Sequence, residues 1–424
     1  MEVKINDISD IQKEVEITAT PAELLPHFEE AYKREQAKIE IKGFRKGKAP
    51  LDMVKKIYGE SIEYGALDHI ASDLFREAAD AHHIHPVGEP ALVDMHFHRG
   101  EPLTFKVRYE VMPSITLAEY KGIPAEKAVH VVTDEEVNGE LLRLRKSNST
   151  FAEAVAAPDD EHVVTADVQQ LDTTGAPIIG RKTEGARIYL ADETVYPEIK
   201  KALSGVAVGE SRRATIEVER EGSKEINALD LHVTKIEKVV LPELTDEFVK
   251  TVTKEKVTSA DAFVTQLRTD LESYWKDRSE RALMDAIVGE VVRRHTVSVP
   301  EGLIKGYLDS MLEDMKNRYP NKKLPPQFDD AEFRKQNRPY AEFQAKWYII
   351  RERLIEAEKL TVEESDMERL AEADAPKVGL DKEALMNFYR TSDAMKDRIL
   401  SEKLNEFLKK HAVITEKITE EPIE

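Results

Sequence analysis

The hydrophobic period of this chain changes along its length, and each change marks a different kind of structure. Residues 1–20 alternate, with Val3, Ile5, Val15 and Ile17 apolar, which predicts a strand. Thr20-Pro21 then predicts a helix start, Thr20 as the cap and Pro21 at the first helical position. Leu24, Leu25, Phe28 and Tyr32 give that helix one apolar face. After a loop at Gly43–Pro50 the pattern predicts a short helix to Tyr58 and a longer one from Ser61 to Ala81. The longer helix turns Ile62, Leu67, Ile70, Leu74 and Phe75 inward. Strands near Ala91–Phe97 and Leu103–Val111, joined at Arg99-Gly100, complete an α+β domain over residues 1–113.

Residues 114–150 read as a connector, with Thr133 and Glu136 spaced as a capping box before a charged helix. Short β-type runs fill residues 151–240, interrupted by one brief helix, Pro197–Leu203. From residue 241 to 424 the pattern is helical. Ser259 starts a helix with Phe263, Leu267, Leu271 and Trp275 at spacings of four. Pro300 starts another, with Leu303, Ile304, Tyr307, Leu308, Met311, Leu312 and Met315 apolar. A break at residues 319–328 precedes a long helix through Trp347 to Leu360, with a kink expected near Pro339. Thr361 and Glu364 suggest a second capping box, and the acidic tail Thr419–Glu424 reads as disordered. The fold class is therefore α+β and multidomain: an α+β N-terminal domain, a small β-rich domain and an elongated, all-helical C-terminal domain.

Composition narrows the chemistry. The chain has 424 residues, 34% of them charged, a net charge of −20 and no cysteine. No cysteine means no disulfide framework, no cysteine-ligated zinc and no thiol nucleophile. No secretory apolar region and no apolar window of membrane-spanning length occur, so a cytoplasmic protein without membrane partners is expected. Against the acidic background, residues 42–56 concentrate Lys42, Arg45, Lys46, Lys48, Lys55 and Lys56 with Asp52 as the one acid. A local basic patch on an acidic protein is aimed at something anionic, and nucleic-acid phosphate is the commonest such target.

Other constellations carry less. Gly43-x-x-x-Gly47-Lys48 lacks the Ser/Thr of a phosphate-binding loop, so no nucleotide cofactor is expected. His82, His83, His85, His96 and His98 cluster without a completing acid or helical spacing, and no metal is expected. Tyr307, Met311, Met315, Trp347 and Tyr348 read residue by residue as core. Together they could line an adaptable cradle for unfolded polypeptide.

The segment Gly43-Phe44-Arg45-Lys46-Gly47-Lys48-Ala49-Pro50, set between two helices of an α+β domain, resembles the ribosome-docking signature of bacterial trigger factors. Leu241-Pro242-Glu243-Leu244-Thr245-Asp246-Glu247-Phe248 is similar to the family's entry into its C-terminal chaperone domain, and the domain order matches as well. The resemblance implies an ATP-independent chaperone that shelters nascent chains beside the ribosomal exit tunnel. It also implies that Gly43, Phe44, Arg45, Lys46, Gly47, Lys48 and Pro50 dock on large-subunit protein and rRNA. Homodimers away from the ribosome are implied too.

The family's middle domain is an FKBP-type prolyl isomerase, which works by burying the proline ring among aromatic side chains and desolvating its amide. Here Tyr196-Pro197-Glu198-Ile199 stands where the family's pocket segment has Ile-Pro-Gly-aromatic, and the flap at residues 219–225 has no ring. Between residues 152 and 240 the aromatics are Tyr189 and Tyr196. The expectation is a degenerate proline pocket near Tyr189, Tyr196 and Ile199, with weak or lost isomerase activity. The alternatives are an active cytoplasmic isomerase and, from the charge of −20, an assembly chaperone for basic proteins.

Overall fold

The computed structural model describes residues 1–424 except Thr173, Glu221, Gly222, Glu420 and residues 422–424. The first twenty residues form two strands rather than one, β1 (Glu2–Asp7) and β2 (Gln12–Ala19). The Ile8 and Ser9 N–H groups both donate to the Gln12 carbonyl, at 2.9 and 3.0 Å, and so reverse the chain. α1 (Pro21–Gln36) starts at Thr20 with a full capping box, Glu23 answering the Thr20 N–H at 2.8 Å.

α2 (Leu51–Ala81) is one continuous helix where two were expected. Gly59 does not break it, because the glycine serves a close approach: a Cβ there would lie 3.1 Å from Arg99 Nη2. β3 (Val87–His96) and β4 (Leu103–Glu110) complete an antiparallel sheet of order β1-β2-β4-β3. The inward residues expected of α2 all join its core, with Val15, Ile17, Leu24 and Phe105.

Next come β5 (Pro124–His130) and α3 (Asp134–Ser147). Only half of the expected Thr133 capping box forms. The Thr133 hydroxyl accepts from Glu136 N–H at 3.2 Å. The Glu136 carboxylate instead accepts from Trp275 Nε1 at 2.6 Å and sits 2.8 Å from His130 Nε2.

The β-rich region holds β6 (Thr150–Ala154), β7 (His162–Leu171), β8 (Pro177–Tyr189), α4 (Pro197–Leu203), β9 (Ser211–Arg220) and β10 (Ser223–Val240). The long β10 pairs with β6, β7 and β9, and β8 lies beyond β7. Leu190, Leu203, Leu231, Val233 and Ile236 form the core of this sheet and α4. α5 (Asp246–Thr253) and α6 (Ala260–Arg294) follow. The α6 stripe of Phe263, Leu267, Leu271 and Trp275 packs on Val137 and Leu141 of α3.

The remaining elements are α7 (Glu301–Arg318), α8 (Asp330–Ala357), α9 (Glu364–Val378), α10 (Lys382–Thr391), α11 (Asp393–His411) and β11 (Val413–Thr419). The capping box of α9 uses Glu363 and Asp366 rather than Thr361 and Glu364. β11 corrects the expectation of an all-helical C-terminal region. It pairs with β5, beginning with Val413 N–H on the Ile123 carbonyl at 2.8 Å. Thr419, expected in the disordered tail, ends this strand, whereas Glu420 and residues 422–424 lie outside the described residues.

The chain divides into two compact units, residues 1–127 with 281–416 and residues 128–280 with 417–424. In the first, the stretch after β4 is threaded into the helical core. Ile115, Leu117, Tyr120 and Ile123 pack with Leu283, Ile287, Ile350, Leu354, Leu404 and Leu408. His295 is buried there, its Nδ1–H donating to the Val291 carbonyl at 2.7 Å. Its Nε2 is thereby left to accept from Ala118 N–H at 2.9 Å, which fixes the tautomer.

Ile123→Ala should destabilise the first unit by about 2–5 kcal/mol in urea unfolding, as for a fully buried core side chain. The second unit gives a pH prediction. Burial is the largest influence on Glu136 and raises its pKa, but hydrogen bonds from His130 and Trp275, with the His130 charge, outweigh it and leave the carboxyl below its ordinary 4.5. A lowered folded value means stabilisation that is present above the ordinary range and lost as pH falls through the lowered one. Glu136→Gln should therefore flatten the acid limb of thermal stability against pH.

Candidate functional site

The Gly43–Pro50 segment connects α1 to α2 and is folded by its own backbone. Phe44 N–H donates to Ile41 at 2.9 Å, Gly47 N–H to Ile39 at 3.1 Å and Lys48 N–H to Arg45 at 2.9 Å. Gln36 Nε2 ties the α1 end to the Ala49 carbonyl at 2.6 Å, and Ala49, 3% exposed, plugs into the core. Gly47 has φ +75°, and a Cβ there would meet the Ala37 carbonyl oxygen at 3.0 Å, so both conformation and space demand glycine. Gly43 needs glycine for conformation alone: its φ is +98°, and nothing lies within 4 Å of an added Cβ.

This folding turns the functional side chains outward. Phe44 is 39% exposed, and Lys42, Arg45, Lys46 and Lys48 are exposed. None of the four cations pairs with an acid among the described residues. Lys55 differs, because it pairs with Glu29 and lies 5.1 Å over the Tyr32 ring. It braces α1 against α2 instead of extending the basic patch.

A second brace lies deeper. The Tyr32 hydroxyl donates to buried Glu63, whose Oε2 lies 2.9 Å from Arg99 Nε. Burial first, then the Glu63 bond and charge, push the Tyr32 pKa up to about 12, so the phenol stays a donor.

Met53 and Ile57, also solvent-exposed and one helical turn apart at the start of α2, extend the apolar surface near the loop. The sequence pattern missed them because apolar positions in a short amphipathic run read as core. The useful signal was their offset from Val54, the buried residue of that turn.

The isomerase candidates fall on two elements, Tyr189 at the end of β8 and Tyr196 and Ile199 at the start of α4. Tyr189 borders a cleft of about 370 Å³ with Val163, Val239 and Phe151, a ring that precedes residues 152–240 by one position. The Arg187 guanidinium sits 4.9 Å over the Phe151 ring. Tyr196 stands at the start of α4, 42% exposed, and Ile199 packs on the core of its sheet. The side chains of the flap, residues 219–225, lie outside the described ones.

The helical candidates differ in burial. Tyr307 packs with Ile304, Leu308, Ala341 and Ala345. Burial raises its pKa, with Tyr348 the next influence. Met311 and Met315 are half-buried on the same helix, Tyr348 is exposed, and Trp347 belongs to the core of Ile350 and Leu354. His96 lies 3.2 Å from Asp94, and no group of three or more metal-ligating side chains occurs among the described residues. No helix among them is long and apolar enough to cross a membrane.

Fold and loop together define a multidomain α+β protein that presents a braced, aromatic-tipped cationic loop from a small sheet-and-helix domain. Comparison with known proteins gives this class its family. The family model for bacterial trigger factor protein matches residues 1–144, and that for the trigger factor C-terminus matches residues 259–410. The trigger factor of Chloroherpeton thalassium is 34% identical, with 98% of this chain and 97% of that protein aligned. That of Salinibacter ruber is 30% identical over 96% of this chain and 93% of its own length. A solved structure described as promiscuous substrate recognition in folding and assembly by the trigger factor chaperone aligns over 97% of this chain and 99% of its own. Its TM-score is 0.48, at 17% identity. The chain belongs to the bacterial trigger factor family.

Gly47→Ala and Gly43→Ala should each cost about 1–2 kcal/mol in left-handed strain, and Gly47→Ala should cost more, because its Cβ also meets the Ala37 carbonyl oxygen. Loop amide exchange should accelerate more in the Gly47 variant, with the sheet amides unchanged.

Proposed function

We propose that this protein is an ATP-independent, ribosome-associated chaperone of the cytoplasm that engages nascent chains as they leave the large subunit. The observation that carries the reading is the outward set of unpaired cations around Phe44 on a loop stiffened from within. Arg45 and Lys46 supply charge-assisted contacts to phosphate or carboxylate, and Phe44 supplies the desolvated anchor a small interface needs. Gly43, Gly47, Lys48 and Pro50 shape and flank the same address. Rigid presentation reduces the ordering cost of binding.

Clients would be held by shallow apolar surface on the helical region, with Tyr307, Met311, Met315 and Tyr348 as contributors. Trp347 contributes chiefly to packing. Weak contacts at several places release a client without ATP, since client folding buries the same apolar groups. Homodimers away from the ribosome fit the family, and no membrane partner is proposed. Isomerase activity is proposed to be weak, because Tyr189 and Tyr196 are the aromatic side chains that residues 152–240 offer and Ile199 stands where the family has a ring, too little to enclose a proline.

Ribosome co-sedimentation of the parent beside Phe44→Ala/Arg45→Ala/Lys46→Ala tests the docking reading. The variant should bind about tenfold or more weakly, equivalent to about 1.4 kcal/mol or more, and parental binding should weaken as salt rises. Equal pelleting of both proteins would refute it. A proline-peptide isomerisation assay tests the second claim, and turnover at the level of ordinary FKBP enzymes would overturn it.

A further inference from the structure

We propose that the backbone contact between Gly88 and Gly302 is a latch that fixes the N-terminal α+β domain onto helix α7. The covalent connection between β4 and the threaded segment is short. Val111 N–H still bonds the Ile11 carbonyl at 2.9 Å, and Ile115 already packs in the helical core. Met112, Pro113 and Ser114 lie between, without regular structure, and Met112 and Ser114 are exposed. These residues form a hinge, so the placement of the domain must be set by a non-covalent contact.

That contact is at Gly88 and Gly302. A Cβ built on either glycine would lie 2.8 Å from the other's Cα, and one on Gly302 would also lie 2.8 Å from the Val87 carbonyl oxygen. No side chain fits between the two backbones. Gly302 has no conformational need of its own, since it lies inside α7 and alanine is the better helix former there. Its identity is explained by the approach of β3. The Glu110 carboxylate, at the end of β4, accepts from Gly302 N–H at 2.7 Å. It thereby caps a helix whose own N-cap, Pro300, offers no side-chain bond. Lys305 reaches Glu89 at 3.8 Å on the rim, an exposed pair that adds little.

The latch couples two surfaces assigned different tasks. While it is closed, the domain carrying the Gly43–Pro50 loop and the helix carrying Tyr307, Met311 and Met315 move as one body. When it opens, the domain swings on Met112–Ser114. A polypeptide wedged between them must break the Gly302–Glu110 hydrogen bond and the glycine contact together. The inference does not depend on ribosome docking, since it concerns placement within the chain.

The absence of cysteine makes the test direct. Glu89→Cys/Lys305→Cys, treated with a short bis-maleimide, should cross-link efficiently within the chain. Adding Gly302→Ala should lower the initial cross-linking rate about fivefold or more, with helix content by circular dichroism unchanged. Adding Glu110→Gln instead should lower it by a smaller factor, and this variant decides the matter if Gly302→Ala also loses helix. Cross-linking as fast as the parent in a folded Gly302→Ala protein, or in Glu110→Gln where that alanine variant is unfolded, would overturn the latch.

Discussion

Residues 115–125 share a core with residues 283–414, and the helical part of the first unit depends on that packing. The chain leaves the N-terminal sheet and buries Ile115, Leu117, Tyr120 and Ile123 among helices that are not made until the β-rich region has been traversed. Lys121 reaches Glu358 at 2.8 Å, and Gly122 N–H donates to the His411 carbonyl at 2.8 Å. The segment between domains is thus a structural strip of the helical body. This core closes only when chain segments far apart in sequence meet, so its burial must offset the loop-closure entropy of the chain between them.

The docking loop follows a different rule. Its structure is local: turns within residues 39–48, one side-chain bond from Gln36 and the buried Ala49. Local stiffness lets the loop keep four unpaired cations together against their mutual repulsion. The neighbouring Lys55 is neutralised by Glu29, whereas Lys56, exposed on α2, has no acid partner among the described residues and carries the patch onto the helix. The Tyr32–Glu63–Arg99 brace holds the two helices at the loop's base, and Gly59 is small because Arg99 passes over it.

Much of this was legible in sequence where the signal was local and periodic. The Thr20 cap, the inward face of α2, the α4 segment and the stripe on α6 all rest on neighbours within a few residues. Long-range constraints were not legible. The continuity of α2 past Tyr58 follows from its packing in the sheet core, and the pairing partner of β11 lies almost three hundred residues earlier; neither is visible in sequence. Glu136 looked like a capping residue, yet His130 and Trp275 claim its carboxylate. At the candidate site the cationic tip was readable from composition. The diversion of Lys55 and the exposure of Met53 and Ile57 required the helix pair. Phe151 and Tyr189 border one cleft through the register of the sheet, which sequence does not show.

The central claim is that the outward tip of this loop is the chain's ribosome address, and a photocross-linking amino acid in place of Phe44 tests it most directly. Irradiated with intact ribosomes, the substituted protein should form adducts with large-subunit protein or rRNA. Those adducts should be competed away by unlabelled parent and should diminish with added salt. Adducts confined to the chain itself, or undiminished by competition, would contradict the account.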